Sequence, residues 1–148
     1  MAVATKTCPQ ATPGAPVYTT DHKPLTVLGI RATGTLAIDA GETLDMVKIP
    51  AGARILDCVV WGDTAMGCTD IDVGLFKTSD FSTVIDEDGL IEAGNINTAP
   101  YAARWTGKAV EIQVGNAQTY ESVVRVTAQT GDLTDAATLY CAVTYIMP

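Results

Sequence analysis

Short apolar runs, each closed by Gly, Pro, Asn or Asp within about ten residues, set the limits on what this chain can become. No window of about twelve residues carries the i, i+3, i+4 apolar spacing of an amphipathic helix. What recurs is strand-like sequence: "LTVLGIR" at 25–31, "TLAI" at 35–38, "LDMVKI" at 44–49, "RILDCVVW" at 54–61 and "TDIDVGLFK" at 69–77. The last third adds "AVEIQVG" at 109–115, "ESVVRVTAQ" at 121–129 and "ATLYCAVTYIM" at 137–147. In "TDIDVGLFK" Ile71, Val73 and Leu75 share one face, while Asp70, Asp72 and Gly74 share the other. Strict period-two alternation marks a half-buried strand. In "LDMVKI" the apolar parity slips once, between Met46 and Val47. About eight short strands without helices between them predict an all-β fold, an antiparallel β-sandwich of jelly-roll-like form.

One corner does architectural work. In "IPAGA", Pro50 cannot donate to a sheet and Gly52 accepts a positive φ, so one strand ends and another begins there. Between two strongly apolar runs, such a corner carries the chain from one sheet to the other across the core. Val59, Val60 and Trp61 are then expected in the core or at an interface.

The chain divides into an extended arm, residues 1–24, and a sandwich domain, residues 25–148. Four of the seven prolines (Pro9, Pro13, Pro16 and Pro24) lie in the first segment. Proline removes backbone donors and favours extended conformations, so neither a helix nor a central strand is expected there. Two readings stand: a loose terminus, or an arm lying on a neighbouring subunit with Val17, Tyr18 and Leu25 as anchors. The stretch 78–108 is the least regular, with "DEDG" at 86–89 read as a turn between short apolar pieces around Val84, Ile85, Leu90 and Ile91. Connections of that length are commonly functional or packed on a partner.

With 148 residues, 47% of them hydrophobic, the chain is long enough to bury a core as one domain. Its net charge of −8 and nine scattered basic residues argue against binding phosphate backbones, so no nucleic-acid partner is expected. No apolar run approaches the ~20 residues of a membrane span, so no membrane partner is expected. The N-terminus has no basic start followed by an apolar stretch, and synthesis in a cytoplasm is expected.

Chemistry is sparse. The single histidine, His22, sits in the Pro-rich segment, and no phosphate-binding loop or nucleophile elbow is present. Cys8, Cys58, Cys68 and Cys141 lack Cys-x-x-Cys spacing, so no metal site is expected; a Cys58–Cys68 bridge across a hairpin stays open. Asp63, Asp70 and Asp72 gather around one presumed hairpin, and Asp86, Glu87 and Asp88 form a run. Turn residues and solvated strand faces account for them, with a weakly bound cation or an acid/base pair as the sharper alternatives. No catalytic residue and no cofactor are expected. "YAARW" supplies Tyr101, Arg104 and Trp105, residue types favoured as interface anchors. The alternative is that both aromatics cover the end of the core.

The runs "VKIPAGARILDCVVWGDT", "TDIDVGLFKTSD" and "VRVTAQTGDLTDAATLYCAVTYI" resemble small structural proteins of tailed bacteriophages. The likeness lies at residues 49–55, 70–75, 84–90 and 136–145, spans about residues 44–146, and leaves out the arm. Cys58, Cys68 and Cys141 fall outside its pattern. Among phage parts it fits capsid decoration (cement) proteins best. That resemblance implies a β-sandwich or jelly-roll domain, commonly a trimer, seated on the outside of the head and clasping the major capsid protein with terminal arms. A virion location on the capsid exterior follows, with no enzymatic activity. The interface expected on this basis comprises Pro9, Pro13, Pro16, Val17, Tyr18, Tyr101, Arg104 and Trp105. A tail- or head–tail-associated structural protein, a carbohydrate- or receptor-binding β-sandwich, and a small hydrolase using paired carboxylates or a metal are the other readings.

Overall fold

The structure is a computed structural model that describes residues 5–17, 23–34, 37–105 and 117–147. Two sheets face each other. Strands β1 (Thr5–Thr7), β3 (Thr43–Ile49), β5 (Asp70–Lys77), β6 (Val84–Gly94) and β8 (Ser122–Thr130) form a five-stranded sheet in the order β1-β3-β8-β5-β6. Strands β2 (Leu25–Arg31), β4 (Arg54–Gly62), β7 (Ala102–Arg104) and β9 (Leu139–Ile146) form a four-stranded sheet in the order β2-β9-β4-β7. Every neighbouring pair is antiparallel except β1 with β3. This is the all-β sandwich expected, and among the described residues the one helical element is a 3₁₀ turn, Pro9–Ala11.

The Pro50–Gly52 corner does what its composition demands. Strand β3 lies in one sheet and β4 in the other, so the chain crosses the sandwich there. Gly52 takes φ +87° and donates its N–H to the Gln118 carbonyl at 2.7 Å. Leu44, Ile49, Ile55, Cys58, Val60, Ile71, Val73, Leu75, Val124, Val126, Cys141, Val143 and Tyr145 fill the space between the sheets. The slip read at Met46 is a β-bulge: the register of β3 on β8 shifts between Asp45 and Val47. One extra residue there lets β3 bury apolar groups inward on both sides of the irregularity.

The reading of residues 86–89 as a turn is corrected. They lie within β6, where Leu75 pairs with Asp86 while Val73 pairs with Ile91, so several residues of β6 arch outward as a wide bulge. Gly74 explains it. A Cβ at that position would collide with the Asp86 carbonyl oxygen and the Glu87 backbone, so only glycine lets the arch fold down over β5.

Residues 5–11, part of the expected arm, lie along the sandwich itself. Thr5–Thr7 pair in parallel with Thr43, Leu44 and Asp45, and the buried Cys8 donates its N–H to the Asp45 carbonyl at 2.8 Å. Being an edge strand, β1 respects the exclusion of proline-rich sequence from sheet centres. The run at 35–38 shows only an isolated bridge from Ile38 to Leu133, its first two residues lying outside the described ones. The strand expected at 109–115 also lies outside them.

Gly74→Val is expected to cost about 1–3 kcal/mol of stability through the collision with the β6 arch. Urea unfolding should show a lower midpoint with an unchanged slope, whereas an unshifted midpoint would mean that the arch can lift off β5 freely.

Candidate functional site

The outer face of the five-stranded sheet is closed by a buried polar knot. Asp45 on β3 and Arg125 on β8 stand opposite each other in register and are almost fully buried, 1% and 5% exposed. Arg125 Nε donates to Asp45 Oδ1 at 2.5 Å and Nη2 to Oδ2 at 3.1 Å, a two-pronged pairing of fork and carboxylate. Nη2 also donates to the Phe81 carbonyl at 2.6 Å, and the guanidinium lies over the Phe76 ring, 4.2 Å from its centroid. Burial pushes the Asp45 carboxyl up, against the opposing pull of Arg125.

Two segments cover this knot. Phe81 packs against Ala11, Phe76 and Val123 in a second small apolar cluster. Its φ of +55° is held by an N–H bond to the Lys77 carbonyl (3.0 Å) and by Arg125 on its own carbonyl. Asp80 anchors the same turn: hydrogen bonds from Thr83 and Ser82 hold its carboxyl well below the usual carboxylate range. From the N-terminal side, Lys48 donates to the Ala15 carbonyl at 3.1 Å, and Lys6 bonds Glu42 at 2.9 Å.

Of the expected N-terminal interface residues, Pro9 opens the 3₁₀ turn and is exposed, as are Pro13 and Pro16, while Val17 is half-buried. Tyr18 and His22 lie outside the described residues. Pro16 and Gln10 border a cleft of about 320 Å³ whose other walls are Leu25 to Leu28, Val47 and Lys48. The second expected group sits elsewhere. Tyr101 precedes β7 at φ +61°, donating to the Thr98 carbonyl and accepting from the Gly62 N–H, both at 2.9 Å. Arg104 is exposed and pairs with Asp57 at 3.1 Å. Trp105 packs partly against the core, and its backbone N–H bonds the Cys58 carbonyl. The cleft adjoins β2 and β3, whereas β7 is the far edge of the four-stranded sheet. The expected residues therefore form two patches on opposite flanks, not one site.

Most carboxylates stand apart, but in the β6 arch Asp86 and Asp88 share a hydrogen bond, with Glu92 near enough to repel Asp88. Asp63 accepts from the Thr138 N–H at 3.0 Å, and Asp72 accepts from the Ala93 N–H and the Gln129 side chain. In the β6 arch, desolvation first, then a hydrogen bond and repulsion from Asp86, raise the Asp88 carboxyl. Among the described residues no three His, Cys, Asp or Glu side chains are placed to hold a metal ion. The Cys58–Cys68 bridge left open by the sequence is not formed. All four thiols are free and buried, with Cys68 donating to the Asp70 carbonyl and burial pushing the Cys8 thiol up to about 11. A buried protonated thiol is a poor nucleophile.

The sequence reading put Val59, Val60 and Trp61 together in the core or at an interface, and the structure separates them. Parity carries a signal for them: Val60 is in the core, so its neighbours Val59 and Trp61 must point out, and Trp61 stacks on Tyr140 at 5.1 Å.

No protein-family model matches the sequence, and no curated protein sequence matches it. Solved structures do match its fold. The chain superposes with TM-score 0.72 on a chain from the capsid of Ralstonia phage GP4, at 16% identity and over 99% of each chain. It superposes with TM-score 0.61 on a chain from the capsid asymmetric unit of cyanophage Pam1, at 18% identity over 94% of this chain and 95% of that one. A third match, TM-score 0.55 at 12% identity, is to a chain from the acid-stable capsid of the Helicobacter pylori bacteriophage KHP30, covering 86% of this chain and 91% of the other. The fold is shared with these chains nearly from end to end.

Asp45→Ala leaves the Arg125 charge buried without its carboxylate and is expected to cost about 3–5 kcal/mol. A thermal melt should show the loss, and a much smaller one would mean that the guanidinium reaches water. The Lys6 hydrogen bond holds the Glu42 carboxyl low, so its contribution is present above the ordinary carboxylate pKa of about 4.3 and lost as pH falls through the depressed value. The Tm gap between the wild type and Lys6→Met should therefore shrink on acidification through that window. A gap independent of pH would break the link.

Proposed function

We propose that the chain is a non-enzymatic structural subunit of a bacteriophage virion, and within it a decoration protein bound to the outside of the assembled head. The observation that supports this most is the end-to-end likeness to a phage-capsid chain, 99% of each at TM-score 0.72. It agrees with the sequence resemblance to cement proteins, drawn from residues 44–146 alone. A net charge of −8 suits an outer surface, away from packaged nucleic acid.

The action is mass action. A subunit that binds the expanded shell and not its precursor stabilises the expanded state in proportion to its occupancy. The partner is the major capsid protein. The grip is assigned to the two flanks, Pro9, Pro13, Pro16 and Val17 on one and Tyr101, Arg104 and Trp105 on the other, with Tyr18, outside the described residues, expected to add to it. Patches on opposite flanks can touch two neighbouring shell subunits at once, which is what clasping requires. Copies joined in a homo-oligomer, a trimer by the resemblance, would bind with avidity because each further contact becomes intramolecular.

Cosedimentation of the purified protein with expanded heads, unexpanded heads and tails tests the reading. Binding to expanded heads is expected, with Arg104→Glu and Pro16→Arg each weakening it at least about tenfold. Binding to tails alone would move the protein to the tail, and binding to none of the three would remove the virion role.

A further inference from the structure

The N-terminal segment is held to the sandwich by few bonds. Strand β1 is three polar residues, and its pairing with Thr43, Leu44 and Asp45 is the one parallel ladder among the described strands. Parallel pairing is somewhat weaker per residue than antiparallel. Lys6 clamps one end through the Ala37 carbonyl at 2.6 Å and Glu42 at 2.9 Å. Cys8 donates its N–H to the Asp45 carbonyl at 2.8 Å, Gln10 Oε1 accepts from the Ile30 N–H at a long 3.5 Å, and Lys48 reaches the Ala15 carbonyl at 3.1 Å. The Ala11 and Ala15 N–H groups donate to the Cys8 and Thr12 carbonyls, so they tie the segment to itself. Pro9, Pro13 and Pro16 have no N–H to offer.

Apolar burial adds little more. Between Lys6 and Val17 only Cys8 and Ala11 are buried, a thiol and a methyl group. Strand β9, by contrast, buries Leu139, Cys141, Val143 and Tyr145. What lies under the segment also favours lifting. Asp45 and Arg125 are dehydrated there, and desolvation is the largest influence on the Asp45 carboxyl. Water reaching the pair offsets part of what the broken contacts cost.

We infer that residues 5–17 form a strap that lifts off as one unit while the two sheets stay folded. Such an opening costs less than global unfolding because it breaks only the contacts just named. The strap carries Pro9, Pro13, Pro16 and Val17, so docking holds one flank of the proposed grip to its own subunit and lifting frees it to reach a neighbour. That consequence rests on the virion reading, whereas the opening itself does not.

The four buried thiols supply the test. In the docked strap, burial pushes the Cys8 thiol up to about 11, so it is protonated and closed to reagents. Cys58 in β4 and Cys141 in β9 report opening of the sandwich itself. The full chain is treated with dilute iodoacetamide at about pH 8, near the ordinary cysteine pKa. Peptide mass spectrometry follows each thiol, with rates scaled to those of the chain in urea. Cys8 is expected to label at least about a hundredfold faster than Cys58 and Cys141. Ile91→Val, a core change in β6 at the opposite edge of the sheet from β1, should speed Cys58 and Cys141 about three- to tenfold. Cys8 should be unaffected by it, because lifting the strap leaves the packing of Ile91 intact. Lys6→Met and Lys48→Met loosen opposite ends of the strap, and each should speed Cys8 about threefold or more.

Equal rates at Cys8, Cys58 and Cys141 overturn the inference, as does a Cys8 rate that rises in step with theirs in Ile91→Val. So does a Cys8 rate that either lysine variant leaves unchanged, since the segment then has no common motion. Head binding is scored separately: fast Cys8 labelling in a protein that binds no head sinks the virion role and leaves the strap standing.

Discussion

The Asp45–Arg125 pair is the constraint around which the molecule is organised. A sheet with apolar residues on one side can leave its other side to water, but β3 and β8 are buried on both. Once a covering layer is laid over that second side, any charge beneath it must be matched there. Arg125 meets the demand in three directions at once, with the carboxylate of Asp45, the carbonyl of Phe81 and the ring of Phe76. The covering turn is thereby tied to the sheet by hydrogen bonds as well as by packing. A well-packed apolar pair would be at least as stable, so what the ionic pair adds is position. It fixes where the Phe81 turn and the N-terminal segment come to rest.

That covering gives the sandwich its asymmetry. One outer face is finished within the subunit, while the other displays Leu28, Leu56, Val59, Trp61 and Tyr140. The two flanks differ too: a cleft beside Pro16 on one, the strained Tyr101 and the exposed Arg104 on the other.

Much of this was legible in the sequence because strands that bury one face must alternate. Leu25–Arg31 was read with the bounds the structure shows. The β3 bulge was visible as a parity slip, and Pro50 and Gly52 marked the crossing between sheets. What escaped lacked a pattern to read. "TKT" is three polar residues whose pairing depends on a distant edge of β3, and "AAR" is too short for periodicity to register. "DEDG" has every mark of a turn, and only the missing side chain of Gly74, a contact across strands, makes it an arch within β6. The Asp45–Arg125 pair did leave a trace: the one acid inside "LDMVKI" and the one Arg inside "VVRVTA" are out of place unless they meet each other.

The arch has a further bearing. Among the described residues strand β6 is the last strand of its sheet, the kind of margin along which identical chains zip into endless fibres. Three consecutive carboxylates on a bowed backbone spoil that template twice, by curvature and by mutual repulsion. Growth strand by strand is blocked at this rim.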